Sequence, residues 1–307
     1  MSHATKPPSD LVRRFIFERQ PVRGHWVRLG EAWSALRAHA RYPAPVEALL
    51  GEAVVAAVLL AATLKFQGTL TFQLQGDGAV RLLVAQCTHD FRLRALARFE
   101  EAAIDALPAR AGLAAVFREL IGTGARLTVT VEADETGARY QGVVPLEGGS
   151  LAESLEAYFA TSEQLPTRVL LAADAAHGAG LLVQKLPGRE DEESSAAWVD
   201  AQRGVARLDA ATLLARPVEE LLKGGFPEQD LRLFRGAAVR FECRCGEGRV
   251  ATLLRALGEE EVRDVLKEQG AVTVICEFCQ RPYRFGSSDV DALFGPAGSA
   301  PGPAGIH

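Results

Sequence analysis

Cys243-Arg244-Cys245 and Cys276-Glu277-Phe278-Cys279 hold four of the five cysteines of this chain, with residues 246–275 between them. Thiolates are soft ligands that suit zinc, and a closed tetrahedral site needs four. Two short pairs brought together by folding supply four. The Cys-x-x-Cys half follows apolar Val274-Ile275 and contains Phe278, in the manner of a zinc knuckle. The Cys-x-Cys half can also close a small, strained disulfide ring, and strained disulfides are reactive or regulatory. The same residues can therefore hold one metal or form two local disulfides. No histidine lies between or near the pairs, which disfavours a catalytic zinc with an open position. Thiol–disulfide oxidoreductases also use Cys-x-x-Cys, at a helix N-terminus. Here the motif follows a predicted strand, Ala271–Ile275, and leads into Gln280-Arg281-Pro282, so that reading is weak. On composition alone a purely structural zinc is favoured over a redox switch, because zinc modules are common. Arg244, Arg249, Arg281 and Arg284 either offset the charge of zinc bound by four thiolates or form a basic face for RNA.

Outward from the cysteines, a zinc module spans residues 231–294. Helices are predicted over Arg249–Leu257 and Glu259–Glu268, broken by Gly258. Tyr283-Arg284-Phe285 reads as a closing strand, and Ser287-Ser288-Asp289 as the cap of a last turn, Val290–Phe294. The tail, 295–307, is rich in Gly, Pro and Ala and is expected to be disordered. Upstream, Trp198–Leu222 reads as two or three short helices interrupted by Gly204 and Pro217 and ended by Gly224-Gly225 and Pro227. The acidic run Glu190-Asp191-Glu192-Glu193 before them reads as a solvated loop. Helices this short are marginal without a docking surface. Residues 188–230 therefore read as a helical linker that can detach.

Residues 1–187 read as a mixed sheet-and-helix domain, which makes the chain α+β. Residues 11–29 suggest a strand pair with Gly24 at the turn. Helices are expected over Glu31–Ala40 and Val46–Lys65, parted by Pro43 and Pro45. The second is apolar nearly all round and should lie at the centre of the core. Thr69–Gln75 and Ala79–Gln86 form a predicted hairpin around Gly76-Asp77-Gly78. A short helix, Leu113–Ile121, ends at Gly122. Leu127–Val131 alternates strictly, with Tyr140–Leu146 as its partner strand. Ser150 caps a helix over Leu151–Thr161, with Glu153 at the capping-box position. Thr167–Ala173 and Gly180–Leu186 complete the domain as strands.

With 307 residues the chain can bury a large core, and its net charge of −5 argues against a dedicated nucleic-acid binder. Residues 1–10 lack the apolar core of a signal peptide, and the longest apolar run, Ala53–Leu64, falls short of the roughly 20 residues that span a bilayer. A soluble, cytoplasmic protein with no membrane partner is expected. Clustered cysteines in a reducing compartment bind metal or sense redox state. Cys87-Thr88-His89-Asp90 invites a nucleophile–base reading, but Cys87 ends a strand and reads as a core thiol. No catalytic residue is assigned, and the chain is not expected to be an enzyme.

These residues resemble the heat shock protein 33 family, redox-regulated holdase chaperones of the bacterial cytosol, over residues 10–294. The resemblance rests on the cysteine pattern, on Tyr158-Phe159-Ala160-Thr161-Ser162-Glu163-Gln164-Leu165-Pro166-Thr167, on Arg139-Tyr140-Gln141-Gly142-Val143-Val144-Pro145-Leu146 and on Leu49-Leu50-Gly51-Glu52. It implies one Zn2+ held by Cys243, Cys245, Cys276 and Cys279 in a reduced, inactive state. It further implies that oxidants join Cys243 with Cys245 and Cys276 with Cys279, release zinc and unfold the C-terminal region. The linker then opens apolar faces such as Leu213, Leu214, Leu221 and Leu222, unfolding client proteins are held without ATP, and the active form is a homodimer. An RNA-binding protein with a structural zinc ribbon is the alternative. Gly246 and Gly248 depart from the family pattern and weaken the cap of the helix that follows. Gly224-Gly225 stands where larger residues are expected, so the linker should unfold readily.

Overall fold

The computed structural model describes residues 10–108, 112–146, 148–187 and 191–295. The expectations for residues 1–9, for 188–190 and for the tail beyond Gly295 lie outside them. The chain divides into two compact units, Met1–Glu242 and Cys243–His307.

The N-terminal unit opens with β1 (Leu11–Phe17), β2 (Val22–Leu29), α1 (Glu31–Arg37) and α2 (Ala44–Thr63). It continues through β3 (Gly68–Gln75), β4 (Val80–Thr88), β5 (Arg92–Phe99), α3 (Glu101–Asp105) and α4 (Leu113–Ile121). Then come β6 (Arg126–Ala133), β7 (Arg139–Pro145), α5 (Leu151–Thr161), β8 (Thr167–Ala173) and β9 (Gly178–Lys185). Three helices follow, α6 (Glu192–Ala206), α7 (Ala210–Ala215) and α8 (Val218–Gly225). Three short strands, β10 (Leu231–Leu233), β11 (Ala237–Ala238) and β12 (Arg240–Phe241), close the unit.

One sheet runs β10-β1-β2-β9-β8 with β11 also on β1, and the other runs β12-β5-β4-β3-β6-β7. α2 lies between them, touching β2, β8 and β9 on one side and β3, β4 and β5 on the other. This is why it is apolar on every side: each face meets a sheet. By length and composition α2 could cross a membrane, but most of it is enclosed by protein. Pro43 stands at its N-cap and Pro45 in its first turn, where a missing N–H leaves no bond unmade.

The first sheet is covered on both faces. Val27, Leu29, Val169 and Leu182 point into the core that holds α2. Phe15, Phe17, Trp26, Leu181 and Val183 point the other way, against Leu213, Leu221, Leu222 and Phe226 from α7, α8 and the turn after them. Burial on both faces removes the polar alternation a half-exposed strand would show, as β9 illustrates.

Several local expectations are corrected. Gly24 is not a turn residue: it sits inside β2 opposite Phe15, where a Cβ would fall 2.1 Å from the ring. The β1–β2 turn lies at residues 18–21. Within the acidic run, Asp191 is the N-cap of α6, its carboxylate accepting from the Ser194 N–H at 2.8 Å. Glu192 and Glu193 fill the first turn, where the helix dipole favours negative charge. Gly204 does not interrupt a helix; it lies within α6 against the Phe226 ring, where any side chain would collide. Residues 92–99 and 101–105 form β5 and α3, to which the sequence reading assigns no element. Three arginines in β5 mask the apolar positions Leu93 and Ala95.

The C-terminal unit holds α9 (Glu247–Leu257), α10 (Glu259–Gln269), the hairpin β13 (Val272–Ile275) and β14 (Pro282–Phe285), and α11 (Ser287–Phe294). Gly258 separates α9 from α10 as expected. Its core is small, built from Val250, Ala251, Leu254, Val262, Val272, Phe285 and Val290. α9 starts without a side-chain cap, with Gly246 at the N-cap. The cap of α11 is Gly286 rather than the serines; its N–H donates to the Asp289 carboxylate at 2.8 Å.

Candidate metal centre

Two short segments deliver the four cysteines. Cys243 and Cys245 lie in the extended stretch before α9, and Cys276 and Cys279 in the turn between β13 and β14. That turn is tightened by two backbone bonds, from Cys276 N–H to Arg281 O at 3.0 Å and from Gln280 N–H to Cys276 O at 2.7 Å. The four Sγ atoms lie within 4.8 Å of one another. The contacts Cys243–Cys276 and Cys245–Cys279, at 3.6 and 3.3 Å, join the two segments.

This donor set fits a tetrahedral ion. A Zn–S bond of about 2.3 Å gives sulfur–sulfur edges of about 3.8 Å. All donors are sulfur, with no carboxylate or imidazole in the group. Cys279 is buried and the other three are half-buried, so ions here are only partly screened by water.

The thiols differ. Burial pushes Cys243 up and Cys279 up to about 12. Burial also opposes ionisation of Cys245, but hydrogen bonds from Tyr283 and the neighbouring thiols outweigh it and bring it down to about 7. The Tyr283 hydroxyl donates to Cys245 Sγ at 3.0 Å. Four thiolates this close repel one another and coexist only around a cation.

Sequence reading places Tyr283 in a closing strand and misses its contact with sulfur. Its register opposite Val274, near the start of the turn, is the signal that could have found it. The Tyr283 hydrogen bond, then the charges of Tyr283, Cys245 and Cys279, raise the Arg281 guanidinium.

Cys87 lies apart, wholly buried in the core around α2. Its thiol donates to Thr88 O at 3.5 Å, and burial, then the Asp90 charge, pushes it up. His89 lies beyond the end of β4, and its Nδ1 accepts from the Gly68 N–H at 3.1 Å. These contacts give Cys87 the setting of a core thiol.

A family model described as Hsp33 protein matches residues 10–286. The chain is 42% identical over 303 residues to the 33 kDa chaperonin of Pseudomonas paraeruginosa, covering 97% of each chain. It is 40% identical over 292 residues to the 33 kDa chaperonin of Nitrosococcus oceani, covering 95% of this chain and 96% of that one. In fold it is similar to the crystal structure of the 33 kDa chaperonin (heat shock protein 33 homolog) of Thermotoga maritima, with a TM-score of 0.79, 23% identity, and 92% and 97% of the two chains covered.

Proposed function

The chain belongs to the Hsp33 family, and from that premise we propose that it is a redox-regulated, ATP-independent holdase of the cytoplasm, which captures unfolding proteins under oxidative stress. The observation that carries this reading is the crowding of four thiols in a unit with so small a core. A zinc ion held by Cys243, Cys245, Cys276 and Cys279 would supply a cross-link between the stretch before α9 and the β13–β14 turn.

In the reduced state these thiolates would hold the unit together only through that ion. Hydrogen peroxide takes two electrons from each thiolate pair and two protons from solvent. One S–S bond forms, the O–O bond breaks and two waters leave. Cys243 pairs with Cys245 and Cys276 with Cys279 in this proposal, following the family resemblance. Disulfides spanning such short loops constrain an unfolded chain little, so they do not replace the lost cross-link. A small unit without its staple has little stability left.

Release then passes along the chain. Glu242 is held by Arg92 at 3.0 Å and by Arg240 at 3.4 Å, and Asp90 also pairs with both arginines. Ion pairs of this exposure contribute little. Before them come β10–β12, none longer than three residues, and then α6–α8. Residues 188–230 act as the linker that loosens, and the switch region runs over 231–294. Loosening α6–α8 bares Leu213, Leu221 and Leu222 together with Phe15, Phe17 and Trp26 of the sheet. Apolar surface of this kind binds unfolded chains and favours a homodimer of the oxidised protein.

Peroxide treatment at raised temperature tests the reading, with released zinc measured by a chromogenic chelator and light scattering of a heat-unfolded client followed in parallel. Zinc release that rises as client aggregation falls is expected. Oxidised, zinc-free protein that leaves aggregation unchanged would sink the proposal.

A further inference from the structure

A cavity of about 390 Å³ lies among the C-terminal end of α2, β6, β7 and α5, within the size range of small-molecule sites. Leu60, Val129, Leu155 and Phe159 give it apolar walls. Arg23 and the buried Gln184 also line it, and the exposed Lys65, Tyr140 and Glu163 lie at its rim.

Its charges are unbalanced. Arg23 donates through Nε and Nη2 to Gln184 Oε1, at 3.2 and 2.7 Å. A guanidinium has five N–H donors, so three remain for a ligand. Among the described residues no carboxylate pairs with Arg23 or Lys65. On the same strand His25 is 4% exposed, and its Nδ1 has no hydrogen-bond partner among the described residues. Arg14 stands opposite it in the ladder. Burial, then the Arg23 and Arg14 charges, keep His25 neutral down to about 4. Glu163 is the one carboxylate in the lining; its Oε1 accepts from the hydroxyls of Tyr158 at 2.6 Å and Tyr140 at 3.2 Å, and among the described residues it forms no ion pair with Arg23 or Lys65, which leaves two cations to one anion. A half-buried guanidinium facing only an amide is unfavourable until an anion joins it.

We infer that this cavity binds an aliphatic monocarboxylate. Its carboxylate accepts from the free N–H groups of Arg23, its chain lies along the apolar walls, and Lys65 at the mouth adds attraction. The site uses residues of Arg139–Leu146 and Tyr158–Thr167 that the proposed switch does not.

Calorimetric titration of the full-length, reduced protein with decanoate, decanol and decyltrimethylammonium tests this. Saturable binding of decanoate is expected, about tenfold tighter than decanol, from one charge-assisted contact. Arg23→Gln should lose that tenfold for decanoate and leave decanol unchanged, and Arg23→Lys should recover part of it. Val131→Trp, which fills the cavity from β6, should abolish binding of both, and it serves as the decisive variant if Arg23→Gln does not fold. No saturable binding of decanoate, equal binding of the alcohol, tighter binding of the ammonium compound, or binding unaffected by both variants would overturn the inference.

Discussion

α2 and the four sulfurs each stand at the centre of a compact unit, and they hold their units in opposite ways. α2 buries Val46, Leu49, Leu50, Val54, Val55, Val58 and Leu59 almost completely between two six-stranded sheets. Its contribution is spread over many side chains, and losing one leaves the rest. The C-terminal unit has seven buried residues in its apolar cluster, and its two cysteine-bearing segments meet at sulfur. Peroxide reacts with thiolates and leaves a cluster of leucines and valines untouched. One unit is therefore a redundant scaffold, and on the proposed function the other depends on a single chemical point. α6–α8 belong to the first unit by packing, yet they reach the second by chain continuity through β10–β12.

The largest expected effect tests that single-point dependence. Structural zinc contributes about 10–16 kcal/mol to small domains, comparable to the entire net stability of an ordinary one at about 5–15 kcal/mol. Cys279→Ser under reducing conditions should lower bound zinc and melt the C-terminal unit, leaving the N-terminal transition in place. Metal analysis and a calorimetric melt read both. Full zinc occupancy with an unchanged melting profile would show that the two units are held alike.

A smaller effect is expected where the linker helices cover the sheet. Leu221 is fully buried against the outer face of the first sheet. Leu221→Asp places an unpaired charge there, which destabilises by about 3–5 kcal/mol. α6–α8 should loosen with all thiols reduced and zinc still bound. Binding of a hydrophobic dye should rise and client aggregation should fall without peroxide. Dye binding equal to the parent protein would mean that the helices do not cover the apolar face of the sheet.

Much of this contrast is legible in the sequence, because its strongest parts are local. The cysteine spacing, the all-round apolar character of α2 and the alternation of Leu127–Val131 each need only a short window. What escapes a local reading is pairing across distance. Arg13 in β1 and Phe234 after β10 meet through a hydrogen bond of 3.1 Å, although more than two hundred residues separate them. Gly24 looks like a turn residue until Phe15 is placed across from it. Gly204 looks like a break until Phe226 is packed on it. At positions 24 and 204 the glycine gives room to an aromatic ring, and nothing in the neighbouring residues announces the ring. A Cβ at Gly225 would likewise press on Leu208 and Gly204, so this glycine lets α6 and α8 approach, whereas one at Gly224 would meet open space.

The scaffold has a weak point of its own, and acid exposes it. His25 is buried in β2 beside Arg14 and Arg23, with a folded-state pKa of about 4 against an ordinary 6.5. The fold thus prefers the neutral imidazole. Its contribution is intact above pH 6.5 and declines as pH falls from 6.5 towards 4, because the unfolded chain takes up the proton first. The loss reaches about 3 kcal/mol at most, at the lower end of the effect expected of Leu221→Asp. Acid also protonates thiolates and weakens metal binding, so the C-terminal transition will move as well. His25→Phe separates the two. It should flatten the acid dependence of the N-terminal transition, followed by tryptophan fluorescence, since all three tryptophans, Trp26, Trp33 and Trp198, lie in that unit. The acid dependence of zinc release should stay as it was. If the N-terminal slope persists in His25→Phe, the acid sensitivity belongs to other groups, and the scaffold carries no single-residue weak point at His25.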